Sequence, residues 1–331
     1  MKVGLVYNLR KDYKREVGDP DDIDAEWDSE KTIHSLTEAI KHNNHSVVDI
    51  GNPLNLIYQN EAVKQVDMIF NIAEGVRGRC RESQVPAICE LLGIPYTFSD
   101  ALTMALSLDK ILCKKLMKAS SIPTAPFWVI SDNEKEMDTI SEREFPLFVK
   151  PAFEGTAKGI SKDSLVLDKD SLLKQAMHLL KIYKQPILVE KYLSGREFTV
   201  AIWGNKNPEV IGIMEIIILD PLQKSIYTFE AKEEWRSKVR YELFNDRESI
   251  LWKKMQEVAL SAYKVLGCRD VARIDIRCDK NEEPYLLEVN PIPGLQPEHS
   301  DFPMIAKMVG IEYDELIGRI IELASERYSL I

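Results

Sequence analysis

The chain has 331 residues, more than one typical domain requires, so two or three lobes are expected. Its hydrophobic share of 45% is enough for a core, and a net charge of −10 excludes the basic face of a nucleic-acid binder while leaving room for the few local cations a nucleotide needs. Five cysteines (Cys80, Cys89, Cys113, Cys268 and Cys278) are odd in number and lack CxxC spacing. They read as reduced thiols of a cytoplasmic protein, not as a disulfide framework or zinc site. No apolar run approaches the roughly 20 residues of a membrane span, and the start turns polar too quickly for a signal peptide.

Lys2 to Tyr7 reads as a buried strand, followed by a polar segment from Asn8 to Asp24. Helix signals begin at Asp28 and Ser29, with Ile33, Leu36 and Ile40 at helical spacing. His45 to Ile50 and Val66 to Ile72 are two more strands. This alternation predicts a parallel sheet covered by helices, with ligands beyond the carboxyl ends of the strands. The loops at Asn8 and at Asn71 to Gly75 are therefore candidate site segments. Gln84 to Leu92 is an apolar helix that suits either a core or a subunit interface.

Ala101 to Ser120 reads as one helix, and Ile122 to Pro126 as a stiff connector. Strands follow at Phe127 to Ile130 and Phe145 to Lys150, then a glycine-containing loop from Phe153 to Gly159 and a helix from Asp170 to Tyr183. Ile187 to Lys191 and Glu197 to Trp203 are strands with Gly195 at the turn between them. Val210 to Leu219 and Ile226 to Ala231 are further strands. An amphipathic helix spans Ser249 to Leu266, and two helices near Phe302 to Val309 and Tyr313 to Arg327 close the chain.

The chemistry concentrates between Asp270 and Gly294, two strands joined by a polar turn at Asp279 to Glu283. With a period of two, Arg273, Asp275 and Arg277 share a face, and Glu288 and Asn290 share a face opposite Leu287 and Val289. Pairing brings Asp275, Glu288 and Asn290 together as a hard oxygen site suited to Mg²⁺. A surface hairpin with solvated charges is the bland alternative. Charges facing inward among Ile, Leu and Val, and the rigid corner from Asn290 to Gly294, disfavour it.

Lys150 ends an apolar strand, and the loop after it carries Gly155, Thr156 and Gly159, whose backbone N–H groups can approach phosphate. An isolated strand-end lysine more often snorkels to solvent. Glu190 can accept from an adenine amino group and Glu197 from ribose hydroxyls; alone, this segment would read as a hairpin with a charged turn. Lys232 adds a further cation after a strand, suited to a triphosphate.

In order and spacing these pieces resemble the ATP-grasp superfamily and, within it, the D-alanine–D-alanine ligases, over nearly the whole chain. The likeness rests on Leu91 to Lys114, Val149 to Pro151 with its loop, Glu190 to Thr199, and Arg273 to Gly294. It implies an α/β fold, a Rossmann-like parallel sheet followed by a two-lobed ATP-grasp fold, with lobes at 1–101, 102–191 and 192–331. It implies ATP contacts from Lys110, Lys150, Glu190, Lys191, Leu193, Glu197 and Lys232. Two Mg²⁺, or Mn²⁺ in their place, would be held by Asp275, Glu288 and Asn290. Arg273 and the Gly294 turn would bind the first substrate and its oxyanion, and Thr156 lies where the family usually has a loop serine. The implied activity is ADP-forming ligation of two amino acids through an acyl phosphate. D-Alanyl-D-alanine formation is the named expectation, in the cytoplasm, without nucleic-acid or membrane partners, and the family suggests a homodimer.

The departures gather at the substrate end. A charged insert follows Arg10 where the ligases carry a Gly-Gly-x-Ser-x-Glu segment, which leaves Glu26 or Glu30 to orient the first amine. Ala73, Glu74 and Gly75 replace a His-Gly segment, Arg81 and Glu82 replace an acidic pair, Glu233 follows Lys232 where a tyrosine is usual, and Gly294 to Ser300 lacks the usual Met-Thr. The rival expectation is the same chemistry on another acid or amine. A non-catalytic nucleotide-binding module is the alternative from another class.

Overall fold

The computed structural model describes residues 1–58, 60–75, 77–131, 134–219 and 239–331. Strands β1 (Lys2–Val6), β2 (Ser46–Gly51) and β3 (Met68–Asn71) form a parallel sheet in the order β2-β1-β3. Helix α1 (Glu30–His42) makes the crossover between β1 and β2. Its start is fixed by Ser29, whose side chain accepts from the Thr32 N–H. The loops expected at the carboxyl ends are tied together, since the Gly75 N–H donates to Asn8 Oδ1 at 3.1 Å.

Helix α2 (Gln84–Leu92) has a core face and an exposed face. Val85 and Cys89 are buried, whereas Leu91 is 86% exposed. The stretch read as one helix is two, α3 (Ala101–Leu108) and α4 (Lys110–Ala119). Asp109 leaves helical geometry and its carboxylate accepts from the Leu112 N–H at 3.0 Å, capping α4. An aspartate is a helix-start signal, but the apolar periodicity runs through it and hid the break. The break places Lys110 in the first turn of α4 and buries it.

Strands β4 (Phe127–Ile130), β5 (Leu147–Pro151), β6 (Leu165–Val166) and β7 (Ile187–Lys191) form an antiparallel sheet, β4-β7-β5-β6, backed by α5 (Lys169–Tyr183). A second antiparallel sheet contains β8 (Glu197–Trp203), β9 (Glu209–Ile218), β10 (Val239–Leu243), β11 (Val271–Cys278) and β12 (Pro284–Asn290), in the order β10-β9-β8-β11-β12. β7 and β8 thus lie in different sheets and are no hairpin. Gly195 lies on the crossing, where its N–H donates to the Cys278 carbonyl at 3.0 Å and an added Cβ would overlap the Cys278 and Asp279 carbonyls. The expected strand at 226–231 and Lys232 lie outside the described residues. The described chain resumes at Val239, the first residue of β10.

Helix α6 (Ile250–Leu266), capped by Ser249, covers the five-stranded sheet on one face. Helices α7 (Asp301–Met308) and α8 (Tyr313–Arg327) end the chain. Leu316, Ile317 and Ile320 of α8 pack with Leu36 and Ile40 of α1 in one apolar cluster that also holds Phe302 and Ile305 of α7. This shared core locks the first sheet to the last and fixes the cleft between them. Among the described residues no helix is long and apolar enough to cross a membrane.

Candidate active site

The hairpin of β11 and β12 pairs Asp275 with Glu288 and Arg273 with Asn290. The register shifts between Asp275 and Ile276, so Leu286 and Val289 both enter the core while Leu287 and Glu288 both line a cavity. Strict alternation had put Leu287 on the core face; the bulge reverses it and aims Glu288 into the cleft. Asn290 donates to Asp275 Oδ2 at 3.0 Å, and the Thr199 hydroxyl donates to Asp275 Oδ1 at 2.9 Å.

Both carboxylates already face protein cations. Arg273 Nη2 lies 2.9 Å from Asp275 and Lys110 Nζ lies 2.8 Å from Glu288. Burial pulls both cations toward neutrality, but Asp275 and Asp301 outweigh it for Arg273, and Glu288 for Lys110, so both pKa values rise. Among the described residues no three His, Cys, Asp or Glu side chains are grouped so as to hold a metal ion by themselves. The donor set is two carboxylates and an amide, whose rotation presents its oxygen. Such all-oxygen donors fit hard divalent cations.

The nucleotide candidates surround that same cavity, between the two antiparallel sheets. Lys150, Glu190, Lys191, Leu193 and Glu197 line it. Glu190 is buried, with Oε2 2.6 Å from Lys150 and Oε1 2.6 Å from Lys114. Burial pushes its carboxyl up, but the two ammonium groups prevail and hold it down at about 2. Lys191 donates to the Glu144 carbonyl, and Glu197 pairs with Arg277 at 2.9 Å. Lys110 lies on Glu288 rather than on this wall. Lys114, absent from the candidate set, is one helical turn from Lys110, and that four-residue spacing could have flagged it.

A substrate-side cavity lies between the parallel sheet and the hairpin, with Gly294 on its wall. The Ser300 side chain packs against Gly294, where a Cβ would approach Ser300 Oγ to 2.8 Å. The two cavities share four residues, Thr156, Arg273, Glu288 and Asp301. Thr156 is at the tip of the glycine loop with φ +50°.

A family profile described as the D-ala D-ala ligase C-terminus matches residues 116–322. A D-alanine–D-alanine ligase from Pelotomaculum thermopropionicum is 31% identical over 89% of this chain and 92% of its own length. The chain belongs to the D-alanine–D-alanine ligase family. Membership makes it an ADP-forming peptide ligase, as the motifs implied. A protein of Sinorhizobium fredii, y4sG, is 34% identical over 79% of this chain and 75% of its own. The crystal structure of the Bacillus anthracis D-alanine–D-alanine ligase complexed with ATP shares the fold, with TM-score 0.75, 24% identity, and coverage of 100% of this chain and 99% of that one.

Within this D-alanine–D-alanine ligase framework the charged insert places Glu26 and Glu30 in different surroundings. Glu30 is exposed and paired with Lys11. Glu26 lines the substrate-side cavity, accepts from the Gly155 N–H at 2.6 Å, and pairs with Arg81 at 2.7 Å and Lys158 at 3.2 Å. Burial raises its carboxyl, but Arg81 and Lys158 overcome that and hold it low. Glu154 completes the network on Arg81 and Lys158. This network joins the first lobe to the glycine loop, and sequence alone gave no sign of it, because residues 26, 81 and 158 meet only in the fold.

Proposed function

We propose that this enzyme joins two amino acids through an acyl phosphate, with ATP as phosphoryl donor and D-alanine as the reference substrate at each position. The observation that carries this reading is the common wall of Thr156, Arg273, Glu288 and Asp301 between the two cavities. A phosphoryl group moving from nucleotide to carboxylate needs such a junction. Lys150, Glu190, Lys191, Leu193 and Glu197 take the nucleotide, and Lys110 and Lys232 turn to its phosphates. Asp275, Glu288 and Asn290 hold Mg²⁺, which when bound supplies positive charge beside the transferring group.

The first amino acid's carboxylate attacks the γ-phosphorus, and ADP departs. The second amino acid's amine then attacks the acyl carbon, and phosphate leaves. Arg273, already aimed at this junction by Asp275 and Asp301, stabilises the oxyanion beside the Gly294 turn. Thr156 closes with its loop over the acyl phosphate and excludes water. Glu26 holds that loop through Gly155.

In the same reading the lobes run 1–101, 102–191 and 192–331, each around its own sheet. The protein works in the cytoplasm with its five cysteines free, and pairs as a homodimer through the exposed Leu91 side of α2. The test is ADP release by purified protein with ATP and Mg²⁺, with D-alanine alone and then with other D- and L-amino acids. ADP formed only when an amino acid is present, and lost on chelation, is the expected result. Nucleotide binding without ADP in any mixture would overturn the reading.

A further inference from the structure

The substrate-side cavity carries more acidic side chains than a pair of alanines can use. Asp28, Glu74 and Glu82 all lie on its wall. The other acids nearby are matched by cations. Glu26 and Glu154 face Arg81 and Lys158, Glu288 faces Lys110, and Asp275 and Asp301 share Arg273. Arg10, on the same wall, donates to the Trp27 and Ala25 carbonyls at 2.8 Å each and also attracts the Asp28 carboxylate.

Glu82 is different. It is 9% exposed, lines the cavity, and has no hydrogen bond or ion pair at contact distance among the described residues; Arg81 and Lys110 attract it only from farther off, each already paired with another acid. Glu74, half-buried on the loop after β3, likewise has neither at contact distance among the described residues, and Arg81 attracts it only from farther off. Asp28 accepts only from the Thr32 hydroxyl among its side-chain partners. A carboxylate taken out of water without a partner is costly unless something arrives to pair with it. The strain shows in the protonation equilibria. Burial first, then the neighbouring acids, raise Glu74 well above the ordinary carboxyl range, and burial raises Asp28 to about 7.

An amino acid bound for activation brings one ammonium, and one carboxylate matches it. The amine of the second amino acid must be neutral when it attacks, so it needs no lasting counter-charge. With Arg10 acting on Asp28, the carboxyl groups of Glu74 and Glu82 remain in surplus, ready to ionise beside an arriving ammonium. We propose that one of the two substrates is a basic, diamino acid whose side-chain ammonium is held by Glu74 and Glu82, with Asp28 beside them. This rests on the amino-acid ligase reading and changes only the identity of one partner.

The test separates charge from size. The enzyme, with Mg²⁺ and a non-hydrolysable ATP analogue, is titrated calorimetrically near neutral pH with diaminopropionate, ornithine and lysine as both enantiomers. Each is compared with its uncharged counterpart of similar length, such as norvaline or norleucine, and ADP release with ATP is followed in parallel. At least one basic amino acid should bind about tenfold or more tightly than its neutral counterpart, the size expected of a partly desolvated charge pair. Glu82→Gln or Glu74→Gln should remove most of that preference and leave binding of the neutral analogue unchanged. Equal or tighter binding of every neutral analogue by the parent enzyme overturns the proposal, and so does a preference that survives both variants. Selective binding of a basic amino acid with no ADP in any mixture would keep this inference and remove the ligase reading. Turnover of D-alanine without a preference for basic side chains would do the reverse.

Discussion

Replacing Glu190 with Gln removes the one negative charge held between two buried ammonium groups. The carboxylate is 3% exposed and lies 2.6 Å from both Lys114 and Lys150. Its carboxyl is held at about 2 against an ordinary 4.5, a drop worth about 3 kcal/mol at neutral pH. Breaking one side of a buried ion pair costs about 3–5 kcal/mol by independent experience, so the two routes agree. Urea unfolding of E190Q near pH 7 should therefore show a loss of about 3 kcal/mol. Lys114 is already depressed, by burial first and by Lys150, with Glu190 opposing. Removing that ammonium as well, in E190Q with Lys114→Met, should recover part of the loss. A depressed carboxyl stabilises the fold fully above its unfolded value of 4.5, and that contribution disappears as pH falls toward about 2. The gap between parent and variant should narrow across that window. A loss below about 1 kcal/mol at neutral pH, or a gap that ignores pH, would refute the placement of Glu190 as the counter-charge of the nucleotide cavity.

Four further outcomes are expected. Glu288→Gln should abolish Mg²⁺-dependent ADP formation while circular dichroism stays native; substantial residual turnover would remove it from the metal set. Arg273→Ala should lower turnover about 100-fold or more with little change in ATP affinity, in line with the loss of an oxyanion donor, and a collapse of ATP binding in a titration would show it misplaced. Asp28, raised to about 7 by burial, favours its protonated form in the fold, so that advantage is complete below about 3.8 and vanishes as pH rises through about 7. Asp28→Asn should thus match the parent in acid and exceed it above neutrality, by about 1–2 kcal/mol given its partial exposure; identical denaturation curves across that range would contradict this. Gly195→Ala forces the crossing away from the Cys278 and Asp279 carbonyls and should cost about 2 kcal/mol or more in unfolding experiments.

Much of the fold is legible because local signals and burial agree. Ser29 and Ser249 cap the helices their positions announce, and the period-two pattern of Arg273, Ile274, Asp275 and Ile276 matches the faces they occupy. The misreadings have physical causes. Asp109 breaks a helix inside an unbroken apolar rhythm, and one inserted residue in β12 moves Leu287 from core to cleft. The charge network of Glu26, Arg81, Glu154 and Lys158 depends on loops that meet only after folding. Lys110 is legible as a functional cation, but its pairing with Glu288 is not, because the partner lies 178 residues away and meets it only in the fold.

The most direct test of acyl-phosphate ligation follows one oxygen atom. When a carboxylate attacks the γ-phosphorus and phosphate later leaves the acyl carbon, that carboxylate oxygen departs in the phosphate. The measurement is mass analysis of the phosphate released by the enzyme with ATP, Mg²⁺ and a turned-over amino acid labelled with oxygen-18 in its carboxylate. One labelled oxygen in the phosphate for each dipeptide formed is the predicted result. Unlabelled phosphate would mean that water, not the amino acid, attacks ATP, and would contradict the mechanism.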